Sequence, residues 1–259
     1  GQLIAWGQYV IGLGLAFAVL VPLFGVNAAF GNLLEIGFEG GHGTVAGLTK
    51  TFTDFNWEAG IALGYTMATV GMALINLAVR RGWVRNIRTF SEQTPHERIG
   101  VYPKHAQPPA GRQTVQSDSV DSLALHVAAL GLAVLIGYGL QKLLAGCNQF
   151  MPESIQNLKI LTSFPLFPLC LIGGLILQKL LLLIRLDSLV DQGQIQRLGG
   201  ASLDFLVVAA VASIRLDFVL NYWMPLLLLV LGGTAWSVFM VLYAAPRLFE
   251  DAWFERAIA

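Results

Sequence analysis

Residues 37–47 read Gly37-Phe38-Glu39-Gly40-Gly41-His42-Gly43-Thr44-Val45-Ala46-Gly47. Glycine costs about 1 kcal/mol against alanine at each helix-interior position. A run this rich in glycine therefore predicts an interruption, with backbone amides and carbonyls left open. The run sits inside a longer apolar segment, Asn27 to Thr53, which also carries Glu35, Glu39, His42 and Lys50 and holds six glycines. Polar groups and a weak helix inside apolar sequence set the central question about this chain.

The flanks answer part of it. Crossing a hydrocarbon core takes about 20 mostly apolar residues. Five stretches qualify: Leu3 to Phe24, which has no charge; Trp57 to Val79, stopped by Arg80 and Arg81; Ser122 to Ala145; Leu161 to Ile184, opened by Pro165 and Pro168; and Met224 to Ala245, ended by Pro246 and Arg247. A second awkward stretch, Gly199 to Leu220, carries Asp204, Arg215 and Asp217. A charge near a bilayer centre costs about 2.5–3.5 kcal/mol on insertion scales. Both awkward stretches should therefore face protein or water, as broken helices or re-entrant hairpins.

Composition agrees. Of 259 residues 55% are hydrophobic and 12% are charged, about half the charged share of a soluble domain. The 16 Lys and Arg balance the 16 Asp and Glu, so no surplus of positive charge is available for nucleic acid. The expected fold is an all-α polytopic membrane protein. Cys147 and Cys170 have no second sulfur or histidine at ligand spacing and read as small apolar fillers. The chain starts at Gly1 with no basic n-region and no small-residue cleavage site, which suggests an internal segment of something longer.

Charge placement suggests topology. Between the second and third spans, Arg80, Arg81, Arg85, Arg88, Arg98, Lys104 and Arg112 outnumber Glu92, Glu97 and Asp118. Such an excess marks a cytoplasmic loop. The chain divides on this reading into 1–80, a cytoplasmic linker at 81–119, and 120–259. Lys179, Arg185 and the stretch Asp187 to Leu198 then fall inside again. Asn221, Tyr222 and Trp223 suit a membrane interface, and Leu248, Trp253 and Phe254 a short interfacial helix. His126 and Asn76 read as interhelical hydrogen-bonding groups, each contributing about 0.6–2 kcal/mol.

At the 37–47 run, backbone at a helix break can meet an anion or replace water around Na⁺. Thr44 adds a hydroxyl and His42 a polar ring, suited to ligand contact or to bracing the break. Glycine also permits close helix packing, which is the plainer reading. A phosphate loop is excluded, because no Lys-Ser/Thr follows at the required spacing. Asp204, a carboxylate in an apolar run, is either part of an ion or substrate pathway or a structural partner.

The run 39–82, EGGHGTVAGLTKTFTDFNWEAGIALGYTMATVGMALINLAVRRG, resembles the bacterial sodium/glutamate symporters, which carry a Gly-Gly-His-Gly-Thr signature before an apolar helix and a basic stop. LTSFPLFPLCLIGGLILQKL and RLGGASLDFLVVAAVASIRL are similar to later segments of that family, in the same order. The resemblance implies a Na⁺-coupled secondary carrier of glutamate or a related amino acid or small organic anion. It also implies an inverted-repeat fold with glycine-rich re-entrant elements. Gly40, Gly41, His42, Gly43 and Thr44 match the first of these elements, with Na⁺ near Gly41 and Thr44. The division at 1–80 and 120–259 would separate the end of one repeat from the start of the next. A further glycine-rich element would follow the last helix, so the chain reads as the middle of a carrier. Glu39 stands where the family usually has a small polar residue, and an acid there would repel a dicarboxylate or favour a cation. No cofactor other than the coupling ion is implied; a homodimer in the bacterial inner membrane is.

A membrane enzyme using His42 with Glu39 or Asp204 is the weaker competitor, since the sequence has neither Gly-x-Ser-x-Gly nor His-Glu-x-x-His. A non-transporting sensory or scaffold module is the other alternative.

Overall fold

The computed structural model describes residues 2–81, 94–116, 118–244 and 247. Arg85, Arg88, Glu92, Pro246, Leu248, Trp253 and Phe254 lie outside the described residues. Those described are helical, without strands. They form α1 (Gln2–Phe24), α2 (Gly41–Asp54), α3 (Ala59–Arg80), α4 (Ser122–Phe150), α5 (Leu166–Leu183), α6 (Gln192–Ala212), α7 (Leu216–Asn221) and α8 (Trp223–Phe239). Five of these are long and apolar enough to cross a membrane: α1, α3, α4, α5 and α6.

Three elements differ from the sequence reading: the expected span Met224 to Ala245 is the shorter α8, Trp223–Phe239, and is not one of the five, and two others change their bounds. The fourth apolar stretch becomes helical only at Leu166, because Pro165 is extended at its N-cap (φ −60°, ψ 142°). Pro168 lies in the first turn, where its missing N–H is no loss. The stretch expected at Gly199 to Leu220 is instead one unbroken helix, α6, starting at Gln192 and ending at Ala212. Its interruption comes afterwards, at Ser213 to Arg215, and Arg215 then pairs with Asp217 at 2.7 Å on the exposed side of α7.

Contacts divide the chain into two compact units. The first comprises Gly1–Ala46, Asn56–Gln107 and Val207–Ala259. In it α1 passes through a π turn, Ala16–Leu20, just before Pro22, whose ring would otherwise collide with the Ala18 carbonyl. The helix stops at Gly25, which takes the left-handed cap conformation (φ 61°). Gly12 and Gly31 meet backbone to backbone, so α1 lies directly on the 28–32 turn. The Trp236 indole of α8 covers Gly7 and donates to the Ile4 carbonyl at 3.2 Å. Leu20, Phe30, Leu33, Leu34, Leu63 and Met67 are fully enclosed.

The second unit comprises Gly47–Phe55 and Pro108–Leu206. Its centre is the antiparallel hairpin of α4 and α5, seated where Gly137 meets the Cys170 backbone and Gly173 meets the Ala133 carbonyl. Gln141 donates to the Phe164 carbonyl at 2.8 Å and Thr51 to the Ser163 carbonyl at 3.0 Å, which fixes one end. Cys170 is half-buried at this contact, whereas Cys147 is exposed at the end of α4 and fills no core. Asn76, expected to bond between helices, is exposed on α3.

Candidate functional site

The glycine-rich run is a break. A short helical course (3₁₀ at Ala28–Asn32, α at Leu33–Glu35, π at Ile36–Gly40) ends at Gly41, and α2 starts there in a new direction. Gly41 has φ 66° and ψ −166°, a combination open essentially only to glycine. The preceding carbonyls and the first amides of α2 are thereby freed from regular helical pairing.

The glycines have separate duties. At Gly40 an added Cβ would stand 2.7 Å from Thr44 Oγ1, so glycine is what lets the threonine fold back. The Thr44 hydroxyl donates to the Gly40 carbonyl at 2.9 Å, across the break. Its proton is thus engaged while its oxygen lone pairs remain as acceptors. Gly43 is exposed, and a Cβ there would meet nothing within 4 Å. Gly37 packs on Met67 and Gly71 on Phe38, so small residues of α3 let the π turn settle against it.

His42 is buried and belongs to the scaffold of this break. Its ring stacks on Tyr65 with centroids 6.2 Å apart, and Nε2 lies 3.2 Å from Thr69 Oγ1. Tyr65 and Thr69, one turn apart on α3, were not singled out in the sequence. No local pattern marked them, because they come from another segment. Glu39 is exposed beside the break. Glu35, one turn earlier, is met by the Tyr9 hydroxyl of α1. Asp204 is exposed on α6 and belongs to the other compact unit, so it does not join Gly40 to Thr44 in one unit. The oxygens at the break, backbone carbonyls and one hydroxyl, are hard neutral donors of the kind a monovalent cation takes.

The family model described as sodium/glutamate symporter matches residues 2–251. The chain belongs to the sodium/glutamate symporter family. The membrane-spanning helices and the break at Gly41 are thus those of a Na⁺-coupled glutamate carrier, with Na⁺ as the family's coupling ion. No curated protein and no solved structure matches the chain.

Outside the break, one cluster of polar contacts gathers residues that the sequence left apart. The Asp191 carboxylate accepts the backbone N–H of Arg112 at 3.1 Å and of Gln194 at 3.0 Å. These two bonds, that from Arg112 first, hold its carboxyl below the ordinary aspartate range. His126, expected to bond to a neighbouring helix, is fully buried and instead takes its partner from the turn before α6.

Proposed function

We propose that the break at Gly41 is where this symporter meets its substrate and Na⁺. The observation that carries the reading is the backbone at Gly41 itself, a glycine-only conformation placed in apolar sequence and braced by Thr44. The first amides of α2 would receive a substrate carboxylate at a helix N-terminus. The carbonyls of the π turn and the lone pairs of Thr44 would replace water around Na⁺. Gly43, bare and exposed, lets a ligand approach the main chain, while His42 holds the turn in place through Thr69 and Tyr65. Glu39 beside the break would favour the cation, and Asp204 of α6 would supply a further polar group on the path.

The wider arrangement follows the same reading. Residues 1–80 close one transmembrane repeat, 81–119 link the halves on the cytoplasmic side, and 120–259 open the second repeat of a homodimeric inner-membrane carrier. Two sets of contacts support the sidedness. Arg112 and Asp191, both placed inside by the positive-residue count, are bonded to each other. Thr51 and Ser163, at the opposite ends of their segments, are bonded likewise.

The test is Na⁺-driven glutamate uptake into proteoliposomes by Gly41→Val and Thr44→Val variants. Both should lose uptake, Thr44→Val while still inserting as folded protein and Gly41→Val because a β-branched residue cannot hold the break. Wild-type uptake kinetics in both would overturn the assignment of this site.

A further inference from the structure

The two buried histidines bond to partners of different kinds. His42 faces a side-chain hydroxyl. His126 faces only main-chain groups. Its Nε2 lies 2.8 Å from the backbone nitrogen of Asp191, and its Nδ1 is bonded to the Ser122 carbonyl. A peptide N–H can only donate and a carbonyl can only accept. Nδ1 therefore carries the proton and Nε2 presents a lone pair, and neither neighbour can exchange roles. The ring is wholly enclosed.

We propose that His126 and Asp191 form a proton-sensitive latch on the N-terminus of α6. Protonation at Nε2 sets two N–H donors face to face at 2.8 Å, so the bond is lost and the Asp191 backbone is pushed away. Asp191 is also the residue that caps α6 through the Gln194 N–H and ties down the 108–114 segment through the Arg112 N–H. Gly111 lies directly on the Gln194 side chain, and Thr114 reaches Ser122 on the first turn of α4. One proton on one ring thus loosens the cap of α6, the 108–114 segment and the start of α4 together. Asp204 lies about 18 Å further along the same helix, at 1.5 Å per residue. The inference stands apart from the reading of the Gly41 site.

The ionisable groups around the ring are few. Asp191 directs its carboxylate to backbone N–H groups, Arg112 is exposed, and Asp121 caps α4 through the Ala124 N–H. From the neighbouring elements Lys179 and Arg185 of the α5 end, Asp187 of the following turn and Arg197 of α6 are all exposed. The latch opens as pH falls, because a proton on Nε2 replaces the accepted hydrogen bond with two opposed donors.

Hydrogen exchange of the full chain in lipid nanodiscs, normalised to intrinsic exchange chemistry, tests this directly. Protection of the amides in 109–114 and 190–197 should fall together as pH is lowered from about 8 to about 5, by at most about tenfold per pH unit for a single proton. His126→Gln keeps an amide oxygen for the Asp191 N–H but cannot titrate, and its protection should stay flat. Flat protection in the wild type, or the same fall in His126→Gln, would overturn the latch. Should the variant fail to fold, imidazole ¹⁵N shifts of the wild-type chain at neutral pH decide. They should show the Nδ1–H form at His126, and the Nε2–H form overturns the proposal.

Discussion

Thr69 Oγ1 donates to the Tyr65 carbonyl at 2.9 Å and stands 3.2 Å from His42 Nε2. Because its one proton is engaged, the threonine can only accept from the ring, and His42 carries its proton on Nε2. The histidine of the Gly-Gly-His-Gly-Thr run is therefore a donor that fastens the start of α2 to α3.

Thr69→Val should leave that buried N–H unpaired and destabilise the protein by about 1–3 kcal/mol. Thr69→Ser, which retains the acceptor, should lie close to wild type. Thermal unfolding in detergent compares the pair; equal midpoints for both variants would remove the bond from the account.

Gly43→Ala separates fold from function at the break. The added methyl meets nothing within 4 Å, and alanine favours the helix by about 1 kcal/mol over glycine. The variant should therefore be at least as stable as wild type, yet take up glutamate at least tenfold more slowly if ligand approaches the main chain here. A stable variant with full uptake would argue against that approach.

The α4–α5 hairpin supplies a matched pair of glycines. A Cβ at Gly173 would strike the Ala133 carbonyl, whereas at Gly174 it has open space. Gly173→Val should cost about 1–3 kcal/mol through overpacking, and Gly174→Val much less. Their order in thermal midpoint is the measurement.

The Asp191 carboxyl predicts a pH dependence of its own. Its folded-state pKa is depressed, so its contribution to stability is complete above the unfolded value of about 3.9 and is lost as pH falls through the folded value. The difference in thermal midpoint between wild type and Asp191→Ala should shrink below about pH 4.

Hydropathy made most of the membrane architecture legible, since an apolar run long enough to span reports itself locally. The break was legible for the same reason: Gly40, Gly41 and Gly43 together cannot make a stable helix. What escaped the sequence were the helix starts and the partners. α6 begins seven residues before the expected Gly199, because Asp191 caps it while also holding Arg112, 79 positions earlier. His126 was recognisable as a polar group needing a partner, but that partner is an amide 65 residues away.

The sequence by itself therefore determined where the chain can enter a bilayer and where its helix must break, because both depend on side-chain transfer and glycine conformational energies summed over neighbouring residues. The tertiary structure alone decided what each polar group faces. Thr44 turns back on Gly40, His42 donates a hydrogen bond to Thr69, and His126 accepts one from the Asp191 N–H. In the two histidine contacts and the Arg112–Asp191 bond the partner comes from another segment, and no local pattern encodes which segments meet.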